Sequence, residues 1–519
     1  MSTPRSRQAY VEEDDNDDAN MEGIDLLNVP LDRDYSIPTA PGGMAPEMAS
    51  ELLSQIERKR RAAQIAVPTA DRDVKARLRS MGEPITLFGE DAADRRARLR
   101  QLLAKLAEEA GEDGDVTMAE TTASADQEQE EEFYTPGGPY LLEARRDMAR
   151  FSLPRAGRRV AYQRIEATIP LKTHIDFRNG IKARLKEFEL YGSQTSDRPV
   201  GIVRFSPDSK LVACGNWAGQ VKLLEVPNLT TKMSYRGAHQ DRATGIDWIP
   251  GATLPGSTVS PFSVNFASGG GGGKIKLWSL EQDQPLHTLE GHTERVCRIA
   301  FYPNGRYLAS ASDDTTWRLW DVEYAREILV QEGHSKECFT VAIQTDGSLI
   351  ASAGLDSIGR VWDIRTGRVI FMLESHIKPI HALDWSMDGH RVLSGSADGF
   401  MRCWDIRKMR ETNAVAANSN GITDLRWYQG SDGPASGIPL QKDEKGNHVP
   451  KKASTFVVSS GFDKTVKIFS ADDWALIKTL QGHAGPVMST DVSRDSSWIV
   501  SGGKDRTVKL WARDDQEGI

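Results

Sequence analysis

Cysteine is scarce in this sequence: Cys214, Cys297, Cys338 and Cys403 are the four in 519 residues, and no two form a CxxC pair. That excludes a disulfide framework and a thiolate zinc site, and it points to a reducing compartment. Long hydrophobic runs are absent as well. None approaches the roughly 18 residues of a membrane span, and Met1 to Asn20 has no apolar stretch of the signal-peptide kind. Positive charge is not in excess either, with 65 Lys+Arg against 74 Asp+Glu and a formal charge of −9, which excludes a uniformly basic nucleic-acid binder. A mean hydropathy of −0.47 is low for a wholly globular chain, so some segments should not fold on their own. The expectation is a soluble intracellular protein, of about three domains by length or of one large β architecture with flanking segments.

What the sequence does have is a regular beat. Trp320-Asp321, Trp362-Asp363 and Trp404-Asp405 recur at intervals of 42, with Trp278-Ser279 another 42 upstream. Gly291-His292, Gly333-His334 and Ser375-His376 keep the same interval, and Trp511-Ala512 follows Phe469-Ser470 by 42. Each unit contains an apolar strand, a turn, a small-residue strand and a closing apolar strand. Closing positions at Leu224, Trp278, Trp320, Trp362, Trp404, Phe469 and Trp511 mark seven units. This spacing and signature resemble the WD40 repeat, over about residues 186–513. The expectation is an all-β seven-bladed WD40 β-propeller, because a single blade exposes both sheet faces and radial packing buries them. The resemblance implies that a first strand near Glu187–Leu190 closes the ring on the last blade. Two intervals are long: 54 from Leu224 to Trp278 and 65 from Trp404 to Phe469. Their extra residues, at 250–261 and 429–452, should form exposed loops between the first two strands of their blades.

An Asp stands six residues before the closing aromatic in five units: Asp314, Asp356, Asp398, Asp463 and Asp505. Together with His292, His334, His376, His483 and nearby serines such as Ser310 and Ser352, these could suggest several Ser-His-Asp triads. Catalysis needs one nucleophile beside an oxyanion hole, not the same set repeated around a ring. In the WD40 family these residues form a structural network within each blade, which here implies His292, Asp314, Trp320; His334, Asp356, Trp362; His376, Asp398, Trp404; and His483, Asp505, Trp511. Ala218 and Gly272 replace the Asp in the first two units and Asn418 replaces the His of the sixth, so those corners should be less rigid. The run Gly269–Gly273 before Lys274 is not a phosphate loop, since Ser268 stands at the first Gly position and a strand follows. No catalytic constellation, cofactor site, metal site or small-molecule substrate is expected.

The N-terminal third divides by charge. Residues 1–45 are acidic and Pro/Gly-rich, with six carboxylates between Glu12 and Asp18, and read as disordered. Residues 46–110 are helical in pattern: Met48, Leu52 and Ile56 share a face ending in Arg58, Lys59, Arg60 and Arg61. That basic tetrad suits a nuclear-localisation element, an RNA backbone contact or a solvated helix end. Asp71 can cap a helix bearing Val74, Leu78 and Met81, and Asp91 a second bearing Leu99, Leu102, Leu103 and Leu106. Between them lie Gly82-Glu83-Pro84 and Ile85-Thr86-Leu87-Phe88-Gly89, a break and a short apolar turn. Residues 111–140 read as an acidic disordered linker, since 108–132 holds eleven carboxylates and no Lys or Arg. Residues 141–185 read as a basic extended segment and a helix, Ile181, Leu185 and Phe188 facing the propeller's edge. From Phe133 to Thr195 there are twelve Lys+Arg against six acidic residues, with Phe151, Tyr162 and Phe177 interleaved. Arg145, Arg146, Arg158 and Arg159 there suit RNA contact with base stacking, or an acidic protein partner, equally. Residues 514–519 are a short tail.

Arg77-Leu78-Arg79 followed by Gly82-Glu83-Pro84-Ile85-Thr86-Leu87-Phe88-Gly89-Glu90 resembles the small splicing factor motif of pre-mRNA splicing proteins. That motif, an acidic linker and a C-terminal WD40 ring, in this order, resemble the pre-mRNA-processing factor 4 family. The resemblance implies a nuclear, non-catalytic scaffold of the U4/U6 and U4/U6·U5 particles. Implied partners are pre-mRNA-processing factor 3, the U4/U6 snRNA, tri-snRNP proteins and, as in some relatives, a cyclophilin. Gly82, Glu83, Pro84, Leu87, Phe88 and Gly89 are the expected partner-binding residues, Leu87 and Phe88 as buried anchors. A ubiquitin-ligase substrate receptor or chromatin reader is the alternative that a WD40 ring by itself permits.

Overall fold

The computed structural model describes residues 71–85, 92–110, 139–235, 237–433 and 448–513. The proposed N-terminal disorder, the basic tetrad Arg58–Arg61, the motif residues Leu87, Phe88 and Gly89, most of the acidic linker and the tail lie outside them. The chain forms two compact units, residues 1–121 and 122–519.

In the first unit, helix α1 (Asp71–Ser80) and helix α2 (Ala92–Ala110) pack through Val74, Leu78 and Leu99, all fully buried, with Met81, Leu102 and Leu103 beside them. The glycine of the motif terminates α1. Gly82 takes the left-handed conformation (φ +74°), its N–H donates to the Arg79 carbonyl at 3.0 Å, and the Glu83 N–H donates to the Leu78 carbonyl at 3.0 Å. This is the paired-bond C-terminal cap for which glycine suffers no Cβ penalty, and Pro84 then prevents the helix from resuming.

In the second unit, seven four-stranded antiparallel sheets stand in a ring. Their innermost strands are Val200–Phe205, Ala243–Trp248, Val296–Phe301, Cys338–Ile343, Ile380–Trp385, Ile422–Trp427 and Val487–Val492, numbered here as blades one to seven. The strand Glu189–Thr195 supplies the outer edge of the seventh sheet, pairing Leu190 with Trp511 and Thr195 with Thr507. The ring is thus fastened by the strand that precedes its first blade against the last strand of its seventh, and every blade has four strands. In every blade the register slips at the second residue of the innermost strand, a bulge that turns that residue toward one mouth of the ring.

Two helices precede the closing strand. The segment expected to be extended is instead a 28-residue helix, α3 (Pro139–Glu166), which continues through Pro154. Pro154 and Gly157 are poor helix formers within it. Packing overrides that preference: Leu141, Ala144 and Met148 join the core of blades three and four around Tyr302 and Trp317. Helix α4 (Leu171–Leu185) carries Ile181 and Leu185, with Phe188 beyond its end, onto the outer strand of blade six among Phe456, Ile468 and Leu480. Its outer edge is tied down by Lys182 to Asp473 at 2.7 Å and Arg178 to Asp472 at 3.5 Å.

Candidate functional site

The recurrent His, Asp and Trp come together four times in one geometry. In blade three the Trp320 indole donates to Ser310 at 2.8 Å, the Ser310 hydroxyl meets His292 Nε2 at 2.7 Å, and His292 Nδ1 meets Asp314 at 2.7 Å. The same chain joins Trp362, Ser352, His334 and Asp356 in blade four, and Trp404, Ser394, His376 and Asp398 in blade five. Blade seven repeats it with Trp511, Ser501, His483 and Asp505. Each serine is fully buried and spends its hydroxyl on the histidine while accepting from the tryptophan. None of these four serines has a free approach to a substrate carbonyl, so the geometry is that of a satisfied network. Burial would raise the Asp356 carboxyl, but bonds from His334 and Arg360 outweigh it and hold it at about 2.

The deviating blades divide. Asn418 restores the missing connections in blade six: its amide donates to Asp463 at 2.9 and 3.1 Å, and Ser459 donates to its oxygen at 3.0 Å. The looser corner expected there is therefore not found, because an amide reaches the same two partners as an imidazole. In blade two, His239, which the repeat count missed because Ala238 replaces the preceding glycine, bonds Ser268 at 2.7 Å. Gly272 offers it no carboxylate, and burial pulls its pKa down to about 4.

The ring axis holds charges that the repeat pattern also missed. Arg204, Asp247, Asp384, Arg426 and Asp491 all stand at the fifth position of their innermost strands, with Arg298 and Asp424 at the third. They line a cavity of about 530 Å³. Asp424 binds Arg204 at 2.9 Å and Arg298 at 3.4 Å, while Asp247, Asp384 and Asp491 each accept a backbone N–H of a neighbouring blade at 2.7 Å. Burial pushes the Asp384 carboxyl up to about 6, whereas for Asp424 the arginines overcome burial and hold it well below the ordinary range. A charge at one register in five of the seven innermost strands was the available signal. At the opposite mouth, Trp217 lies under Arg242 at 4.3 Å, and His381 packs between Phe339 and Phe462 around a cavity of about 230 Å³.

The turns between first and second strands are where α3 lies. Arg155 donates to the Thr345 carbonyl at 3.0 Å, Arg159 pairs with Asp346, Gln163 donates to Asp388 O at 3.1 Å, and the Tyr162 hydroxyl donates to Asp432 O at 2.8 Å. Lys451 bridges Asp388 and Glu166. The helix therefore spans the turns of blades three to six, and the described ends of the blade-six insertion bracket it. Of the arginines expected to meet RNA or an acidic partner, Arg159 is consumed by this docking and Arg145 is half-buried beside Gly367. Arg146 and Arg158 are exposed. Phe151 and Tyr162 face inward, Phe151 against Tyr302 at 5.6 Å. Of the motif residues, Gly82, Glu83 and Pro84 are exposed after α1, where Arg98 of α2 reaches the Ile85 carbonyl at 3.5 Å.

Among the described residues no group of three His, Cys, Asp or Glu is placed to hold a metal, and no helix is long and apolar enough to cross a membrane. Lys274 is paired with Glu290 at 2.7 Å, and no helix follows it. Cys214, Cys338 and Cys403 are buried and Cys297 partly so, and burial pushes the Cys214 thiol up to about 12.

Comparison with known proteins matches residues 74–102 to the family "pre-mRNA processing factor 4 (PRP4) like", a span that covers most of α1, the capped turn and the first half of α2. The WD domain, G-beta repeat, matches residues 283–321, 326–363, 367–405 and 474–512. An uncharacterized WD repeat-containing protein of Schizosaccharomyces pombe is 39% identical over 267 residues, 51% of this chain and 56% of the relative. The mouse U4/U6 small nuclear ribonucleoprotein Prp4 is 38% identical over 223 residues, 43% of this chain and 42% of its own. The Saccharomyces cerevisiae U4/U6 small nuclear ribonucleoprotein PRP4 is 32% identical over 302 residues, 57% and 62% respectively. The chain thus spans about half the length of the relatives it matches.

Proposed function

We propose that this chain, which carries a PRP4-like motif and WD repeats together, belongs with the pre-mRNA-processing factor 4 family and takes part in pre-mRNA splicing. The protein acts as a non-catalytic scaffold of the U4/U6 and U4/U6·U5 particles in the nucleus, holding protein partners and snRNA in place. Pre-mRNA-processing factor 3 is the expected tight partner and a cyclophilin a further one. The observation that carries this reading is the pairing of a PRP4-like capped helix pair with a WD ring in one chain, since a WD ring alone fits many functions. The ring's histidines and serines are engaged with one another, which supports a surface role over a catalytic one. Among the described residues the motif unit buries few side chains, which suits ordering on a partner, with Leu87 and Phe88 proposed as anchors and Gly82 and Pro84 shaping the turn. Purification of the tagged full chain and sequencing of its RNA tests the reading. Recovery of U4 and U6 is expected; ubiquitin-ligase subunits without RNA would overturn it in favour of a substrate receptor.

A further inference from the structure

Helix α3 has a second face that the ring does not use. Turned away from Leu141, Ala144, Met148 and Tyr162 is a stripe of Leu142, Arg146, Arg150, Leu153, Val160 and Arg164, with Gly157 in its middle. The steps between them, counting Gly157, are four, four, three, four, three and four residues, the spacing along which one helix packs on another. Leu142 and Leu153 are 56% and 59% exposed. We propose that this stripe is the docking surface for an acidic amphipathic helix of a partner protein. The inference takes from the splicing reading only the premise that the chain is a scaffold.

Three observations choose the occupant. The first is charge: Arg146, Arg150 and Arg164 lie on the stripe, whereas Glu143 is the exposed acidic residue of the helix. Asp147 approaches Arg150 at 3.6 Å but is itself held by Arg306 at 3.1 Å. The second is Gly157, which sits mid-helix at a cost of about 1 kcal/mol relative to alanine. A Cβ there would meet nothing within 4 Å, so the chain's own packing gives no reason for the glycine, and the close approach of another backbone does. The third concerns the alternative of RNA. Stacking on bases needs open aromatic faces, yet Phe151 and Tyr162 are turned to the ring and the exposed Tyr140 has one face taken by Arg326 at 3.7 Å. Leucine and valine between arginines match apolar residues between carboxylates. The ion pairs beneath α3 hold the stripe in place before a partner arrives, which lowers the ordering cost of docking.

The test places photoreactive benzoylphenylalanine at position 153 of the full chain in cells and maps the product by mass spectrometry. The expected product joins position 153 to one segment of another protein, net acidic and apolar at three- and four-residue steps. The combined variant Arg146→Glu, Arg150→Glu, Arg164→Glu should lower its yield about tenfold or more while leaving the melting temperature of the chain within about 3 °C. Products with RNA, with a second copy, or with residues 111–138 or 434–447 of the same chain would overturn the proposal. So would a yield no higher than from the probe at exposed Lys232, or one unaffected by charge reversal. Recovery of U4 and U6 RNA with the charge-reversed chain reports separately on the splicing reading.

Discussion

The guanidinium of Arg159 lies 2.5 Å from the carboxylate of Asp346, joining α3 to blade four across 187 residues of sequence. Asp346 is almost fully enclosed and Arg159 mostly so, and neighbouring bonds from Arg155, Tyr162 and Lys451 fix the same helix to three successive turns. The helix is therefore a structural strap on the ring as much as a basic segment.

Removing one partner of that pair should be costly, because a carboxylate would remain buried without its cation. Arg159→Met is expected to destabilise the second unit by about 3 kcal/mol, and Arg159→Met with Asp346→Leu to recover much of the loss. Urea denaturation of both variants checks this, and equal losses in the two would contradict it.

The serine at the centre of a complete network should matter more than its counterpart in blade six. Ser310→Ala leaves both the Trp320 indole and the Nε2 of His292 without a partner, at a cost of about 2–4 kcal/mol. Ser459 serves Asn418, and the closing residue Phe469 has no side-chain N–H to satisfy, so Ser459→Ala should cost about half as much. Matched denaturation curves would decide, identical midpoints being the adverse result.

Stability should fall with acid in two stages. His239, His376 and His483 have folded pKa values depressed by burial, His239 to about 4. Their unfolded forms take up protons first, so their stabilising share is complete above an unfolded pKa of about 6.5 and shrinks as pH drops from there. Asp356, Asp398, Asp463 and Asp505 have folded pKa values below the ordinary carboxylate range because bonds from their partners outweigh burial. Their share is present above about pH 4 and disappears as pH falls through the folded values. Melting temperatures between pH 7 and 3 should show both stages, and His239→Gln should flatten the upper one.

Truncation should separate the strap from what precedes it. A chain starting at residue 139 keeps both helices and the closing strand, and its ring should melt with that of the full chain. A chain starting at residue 197 loses Glu189–Thr195 and uncovers the edge at Trp511, and its melting temperature should fall by about 10 °C or more. Calorimetry of the two chains measures the difference.

The ring was legible before any coordinates because each blade solves the same local problem with the same residues. Trp320, His292 and Asp314 reappear 42 positions on as Trp362, His334 and Asp356, and a buried polar network leaves little freedom in that spacing. Helix ends speak locally too, as Gly82 and Pro84 do after α1. Other features depended on distant partners. That α3 is one helix, that Phe151 and Tyr162 turn inward, and that Arg159 is spent on Asp346 while Arg146 is not, follow from which turns of blades three to six lie beneath it. The arginines and aspartates of the axis belong to this second kind, since Arg204 finds Asp424 only when the circle closes. Repetition can be read along a chain, whereas a contact between residues hundreds of positions apart exists only once packing has chosen which faces meet.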